Sequence, residues 1–153
     1  LNIPPLKYEM IYKLKEDFKD LEIIINGGIA TSEEIKSHLQ RVDGVMLGRS
    51  VYHSPYLLAD IEKEIFNNEN YPSRQEVVEK LVDYLKKEVR KGTRVNQVMR
   101  HTLGLFHGQI GSNFWKRYLS KNMCVRDADI QKIDHIKDKV KLNHIVQSAG
   151  QVD

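Results

Sequence analysis

Apolar residues recur first at helical spacing, then in two short runs with a helical stretch between them, and then at helical spacing again. From Tyr8 to Phe18, the positions Met10, Ile11, Leu14 and Phe18 predict a helix. Pro4 and Pro5 before it cannot be helix interior, because proline lacks the amide hydrogen and restricts the preceding residue. Leu21-Glu22-Ile23-Ile24-Ile25-Asn26 is short, rich in β-branched residues and stops at Gly27-Gly28, which predicts a buried strand with a sharp exit. Thr31 and Glu34 have the spacing of a capping box, opening a helix with Ile35 and Leu39 inward that ends near Arg41. Asp43-Gly44 makes a turn, and Val45-Met46-Leu47 forms a second strand running into Gly48-Arg49. This alternation of helices and strands points to parallel strands joined by crossover helices.

The pattern changes after Phe66. Asn67 to Pro72 is polar and rich in turn formers, as in a linker. Ser73 and Glu76 form a second capping box, opening a helix to about Lys91 with Val77, Leu81, Leu85 and Val89 on one stripe. Gly92 closes it. A further helix is expected from Arg94 to about Phe106, before the Gly108 to Gly111 turn, and another through Trp115, Leu119 and Met123. A last one from Asp127 carries Ile130, Ile133, Ile136, Val140 and Ile145. The expected organisation is an α/β piece, residues 1–66, followed by an all-α piece, residues 67–153, folded as an antiparallel bundle.

With 41% hydrophobic and 29% charged residues among 153, the chain can build a packed core. No apolar run approaches the roughly 18 residues of a transmembrane helix, and the first residues have no signal-peptide pattern. The lone Cys124 excludes an internal disulfide and a zinc-binding Cys cluster, which fits a reducing, cytoplasmic setting. The histidines have no ligand-like spacing, so no metal is expected. The net charge of +3 is unevenly spread. Residues 1–71 hold 8 Lys and Arg against 12 Asp and Glu, whereas residues 72–126 hold 12 against 4. Such a basic block suits either a polyanion partner or a solvated, Lys-rich helical surface.

Each predicted strand ends in glycine, and each glycine precedes a predicted helix. Gly27 and Gly28 let the backbone approach a ligand and aim N–H groups at it, and a helix N-terminus beyond favours an anion. Gly48 gives the same access after the second strand, and Arg49 adds a fork suited to phosphate. Barrels of eight βα units commonly build a phosphate site from the loops after their last two strands. Glycine-ended strands are also ordinary structural punctuation. Two strands cannot close a barrel, so the missing strands are expected upstream in a longer protein, an expectation the absence of an initial Met supports.

Ile3-Pro4-Pro5-Leu6-Lys7-Tyr8, Leu14-Lys15-Glu16-Asp17-Phe18, Ile25-Asn26-Gly27-Gly28-Ile29 and Val42 through Arg49 occur in this order, followed by Tyr52 and Pro55. Arg100 through Phe106 and Trp115-Lys116-Arg117-Tyr118-Leu119 continue the series. Taken together, the series resembles the C-terminal part of tRNA-dihydrouridine synthases of the A subgroup, up to about residue 140. The resemblance implies the last two βα units of a TIM-type (β/α)8 barrel that binds FMN, followed by a helical tRNA-binding domain. It implies reduction of uridine to dihydrouridine in the tRNA D-loop, with NADPH as electron donor. Asn26, Gly27, Gly28, Gly48 and Arg49 match the family's FMN-phosphate loops. The catalytic cysteine belongs to the barrel upstream, so no catalytic residue is expected in this chain, and Cys124 is read as structural.

For tRNA the candidates are Arg100, His101, Asn113, Lys116 and Arg117, which flank the Gly108-Gln109-Ile110-Gly111 turn. Members of the family often carry arginine near Asn113 and Lys116. Trp115 reads either as a base-stacking platform or, four residues from Leu119, as core. Two other functions stay open on the residues alone: another phosphate-binding flavin barrel acting on a small molecule, and a non-enzymatic RNA-binding module.

Overall fold

A computed structural model describes residues 5–125, 132, 134–136 and 138. The chain divides into two compact units, Leu1–Glu69 and Asn70–Asp153.

In the first unit, α1 (Tyr8–Asp17) leads to β1 (Ile24–Asn26), α2 (Ser32–Leu39), β2 (Gly44–Met46), α3 (Arg49–His53) and α4 (Leu57–Glu64). The strands pair in parallel, Ile25 opposite Val45, with α2 as the crossover. β1 is shorter than its apolar run from Leu21 suggests, whereas β2 has the expected three residues but starts one position earlier, at Gly44. Asp43 accounts for the late start of β1, because its carboxylate accepts the Ile23 amide at 2.8 Å and a Lys15 ammonium at 2.8 Å. Lys15 also donates to the carbonyls of Lys19 and Leu21, which holds the α1–β1 connection as a turn.

Tyr12, Ile25, Ile29, Ile35, Val42 and Ile61 form the core of this unit. The inward face of α1 is Tyr8, Ile11 and Tyr12, whereas Met10, Leu14 and Phe18 are exposed. Hydrophobicity alone is misleading here, because the tyrosines carry hydroxyls that find hydrogen-bond partners within the unit. On α2, His38 rather than Leu39 turns inward beside Ile35. The His38 ring nitrogen Nδ1 lies 2.7 Å from the Tyr12 hydroxyl, and the Tyr8 ring meets His38 edge-on at 4.7 Å. One sheet face, through Ile25, joins this core. The other leaves Ile24 and Met46 about half exposed.

The second unit holds α5 (Arg74–Arg90), α6 (Val95–Met99) and α7 (Ser112–Asn122). Ser73 and Glu76 close the expected capping box. The fully buried stripe of α5 is Val78, Val82 and Leu85, one residue off the predicted 77 and 81. At its C-terminus the Thr93 amide donates to the Glu88 carbonyl and Gly92 to Val89, with Gly92 left-handed at φ +94. That is a Schellman cap.

The helix expected over 94–106 stops at Met99. Successive turns follow, the Thr102 hydroxyl returns to the Met99 carbonyl, and Arg74 Nε donates to the Leu105 carbonyl. Polar groups therefore take over the carbonyls that would have continued the helix. Trp115, Leu119 and Met123 are buried as their spacing predicts. The helix expected from Asp127 falls mostly outside the described residues, as do Ile130, Ile133, Val140 and Ile145; Ile136 is buried.

Candidate functional site

The exits of β1 and β2 lie side by side because the strands are parallel neighbours. They wall a recess of about 490 Å³ lined by Asn26, Gly27, Gly28, Ile29, Ala30, Met46, Gly48, Arg49, Ser50 and His53. All five residues expected to hold a phosphate are therefore brought to one place.

The local conformation explains the residue types. Gly27 and Gly28 have φ of +117 and +67, a region costly for any side chain. A Cβ on Gly28 would sit 2.9 Å from Leu6 Cδ1 and 3.4 Å from the Tyr8 hydroxyl. Tyr8 donates to the Gly27 carbonyl from the core side, which fixes the plane of the peptide that leads into the turn. Across the recess, Ser50 Oγ donates to the Ile29 carbonyl at 2.8 Å and ties the two loops together.

The N-terminus of α2 is closed from within. Glu34 accepts the amides of Ala30 at 2.8 Å and Thr31 at 3.1 Å, so a carboxylate already meets that end of the helix. The cationic side of the recess is Arg49, which is exposed and has no ion pair among the described residues. His53 and Ser50 are recess residues that the sequence pattern did not single out. Histidine and serine after a Gly-Arg pair carry no periodic signal, and only the fold of α3 brings them there.

In the second unit, Arg100, His101, Asn113, Lys116 and Arg117 are all exposed. Arg100 Nε donates to His101 Nε2 at 3.1 Å, so the two sit as a pair on the turn after α6. Asn113, Lys116 and Arg117 share the outer side of α7, at spacings of three and four. Trp115 is core: only 3% of it is exposed, its indole N–H donates to the Thr102 carbonyl at 2.9 Å, and the Phe106 ring lies 4.9 Å away. Cys124 is half-buried and burial pushes its thiol upward, away from the reactive thiolate. Among the described residues no helix is long and apolar enough to cross a membrane, and no His, Cys, Asp and Glu cluster is arranged for a metal.

Comparison with known proteins places these features in context. Residues 1–145 match the family described as dihydrouridine synthase (Dus). A tRNA-dihydrouridine(20/20a) synthase of Synechocystis sp. is 46% identical over 127 residues, covering 82% of this chain and 38% of that protein. The enzyme of the same name from Haemophilus ducreyi is 44% identical over 133 residues, covering 86% and 41%. That from Escherichia coli K12 is 44% identical over 134 residues, covering 87% and 39%. The chain thus spans about two-fifths of the length of the curated relatives it matches. With the family match running over nearly its whole length, the chain belongs to the dihydrouridine synthase family.

Proposed function

We propose that this chain is the C-terminal part of an FMN-dependent tRNA-dihydrouridine synthase, a cytoplasmic enzyme that reduces uridine in the tRNA D-loop with NADPH as electron donor. The observation that carries the reading is the single recess gathering Asn26, Gly27, Gly28, Gly48 and Arg49 in a chain whose relatives bear that name. Family membership implies a TIM-type barrel. In this reading residues 1–66 are its last two βα units and residues 67–153 form a helical tRNA-binding bundle. The apolar surfaces left bare, Met10, Leu14 and Phe18 on α1 and Ile24 and Met46 on the sheet, support it. A closed barrel with its ring of helices buries such faces.

The recess fits the phosphate of FMN. Two left-handed glycines keep side chains out of the turn, and Arg49 offers a planar set of donors suited to phosphate oxygens. When bound, FMN supplies the hydride that reduces the C5–C6 bond of uracil. The residues of this chain anchor the cofactor's phosphate end, while Arg100, His101, Asn113, Lys116 and Arg117 hold the tRNA backbone. The cysteine that protonates the ring belongs to the upstream barrel. The family assignment disfavours a small-molecule flavin barrel and an RNA-binding module without chemistry.

Two titrations of the full-length protein test this. FMN and riboflavin differ only in the phosphate, so Arg49→Ala is expected to weaken FMN and leave riboflavin unchanged; equal losses for both would sink the phosphate role. Binding of unmodified tRNA should weaken with salt and drop further in the Arg100→Ala, Arg117→Ala double variant. Salt-independent binding would sink the RNA role.

A further inference from the structure

The outer side of α7 carries more than cations. At 3.6 residues per turn, Asn113, Phe114, Arg117, Tyr118 and Lys121 fall on one face, opposite the buried Trp115 and Leu119. Phe114 and Tyr118 stack along this face, with centroids 6.0 Å apart and planes 25° from parallel. Tyr118 is partly buried and backs the pair, while Phe114 is 41% exposed and offers the open end of the stack. Just before the helix, Ile110 is 81% exposed at the tip of the turn. A residue at that position often folds back onto the first turn of its helix. Here it stands out in solvent.

We propose that Phe114 is a stacking platform for an unpaired nucleobase of the RNA held by this unit, with Arg117 and Lys121 contacting the flanking phosphates. The inference rests on the RNA-binding reading above and goes beyond it by naming a base contact. The charge on the face selects the occupant. Helix α7 has no acidic residue, and the surrounding segment, residues 72–126, holds 12 Lys and Arg against 4 Asp and Glu. An aromatic ring followed along the same face by two cations suits a base and the phosphates next to it in single-stranded RNA. Trp115, the residue whose type most suggests stacking, has its ring and its N–H already engaged in the core.

The test is binding of unmodified tRNA to the full-length protein over a range of salt, comparing the parent with F114A, F114L, F114Y and R117A. Losing one stacked base weakens binding roughly tenfold. F114A and F114L should both show that loss with the salt dependence unchanged, F114Y should bind like the parent, and R117A should bind more weakly with a shallower salt dependence. If F114L binds like the parent, the ring is not a stacking surface and the inference fails while the RNA reading stands. If the parent shows no salt-dependent tRNA binding, the RNA reading fails and the inference with it. Thermal melting of each variant separates a lost contact from a damaged fold.

Discussion

The hydroxyl of Tyr8, on the first turn of α1, donates to the carbonyl of Gly27 at the mouth of the recess. A helix on the core side thus holds a backbone that lines the recess on the other side. The same ring packs edge-on against His38, so its position is set by the core as well as by the hydrogen bond. We predict that Tyr8→Phe lowers stability by about 1 kcal/mol, the usual worth of one such bond. It should also weaken FMN more than riboflavin in the full-length protein. Urea midpoints and paired titrations measure both effects, and unchanged FMN affinity would show that the turn holds without the hydroxyl.

Gly28 and Gly48 should respond differently to alanine. At Gly28 the added Cβ meets Leu6, a half-exposed side chain that can rotate away, so the cost comes mainly from the backbone at φ +67. That strain is worth roughly 1–2 kcal/mol. At Gly48 nothing lies within 4 Å of the new Cβ, and φ is −113. Gly48→Ala should therefore leave the melting temperature nearly unchanged and reduce affinity for FMN only. A large drop in melting temperature for Gly48→Ala would contradict this geometry.

How much of this was legible in the sequence depended on range. Both capping boxes, at Thr31 and Ser73, and the glycine cap at Gly92 read correctly because each signal lies within a few residues. The recess was legible too, since two glycine-ended strands in parallel must open at the same end. Which face of a helix turns inward was not. Met10, Leu14 and Phe18 are more apolar than Tyr8 and Tyr12, yet the tyrosines face the core because their hydroxyls are hydrogen-bonded there, Tyr8 to the Gly27 carbonyl and Tyr12 with His38 Nδ1. The premature end of α6 was hidden for a related reason: Arg74 and Trp115, which take the carbonyls of Leu105 and Thr102, are distant in sequence.

Trp115 allows two costs to be separated. Its ring fills the core of the second unit, so Trp115→Ala should destabilise by roughly 3–5 kcal/mol. Trp115→Phe keeps much of the ring and loses the indole N–H. The Thr102 carbonyl still accepts the Leu105 amide, so it is not orphaned. The expected loss is therefore about 1 kcal/mol plus a small packing term. Chemical denaturation of both variants checks the ordering, and equal losses would mean that the ring volume matters little.

Acid should loosen the α1–β1 connection. The Lys15 ammonium, and then the Ile23 amide, hold the Asp43 carboxyl below its ordinary value of 3.8. A carboxylate depressed in the folded state adds stability above its unfolded value, and that stability is lost as pH falls through the folded value. The loss therefore begins just below the ordinary Asp range. Asp43→Asn should flatten that part of the stability–pH curve while leaving the alkaline limb alone. A curve that stays parallel to the parent's would assign the acid sensitivity to other carboxylates, with Glu76 and Glu88, both also depressed, next in line.

The parallel register of β1 and β2 also bears on time. Each strand is three residues long and pairs Ile24 with Gly44, Ile25 with Val45 and Asn26 with Met46 across the whole of α2. Few ladder bonds offset the entropy of closing so long a loop until α2 has docked. A nascent chain therefore holds no half-built recess. Its walls come together in the same cooperative event that buries Ile25, so slow amide exchange at that residue would report that the recess has formed.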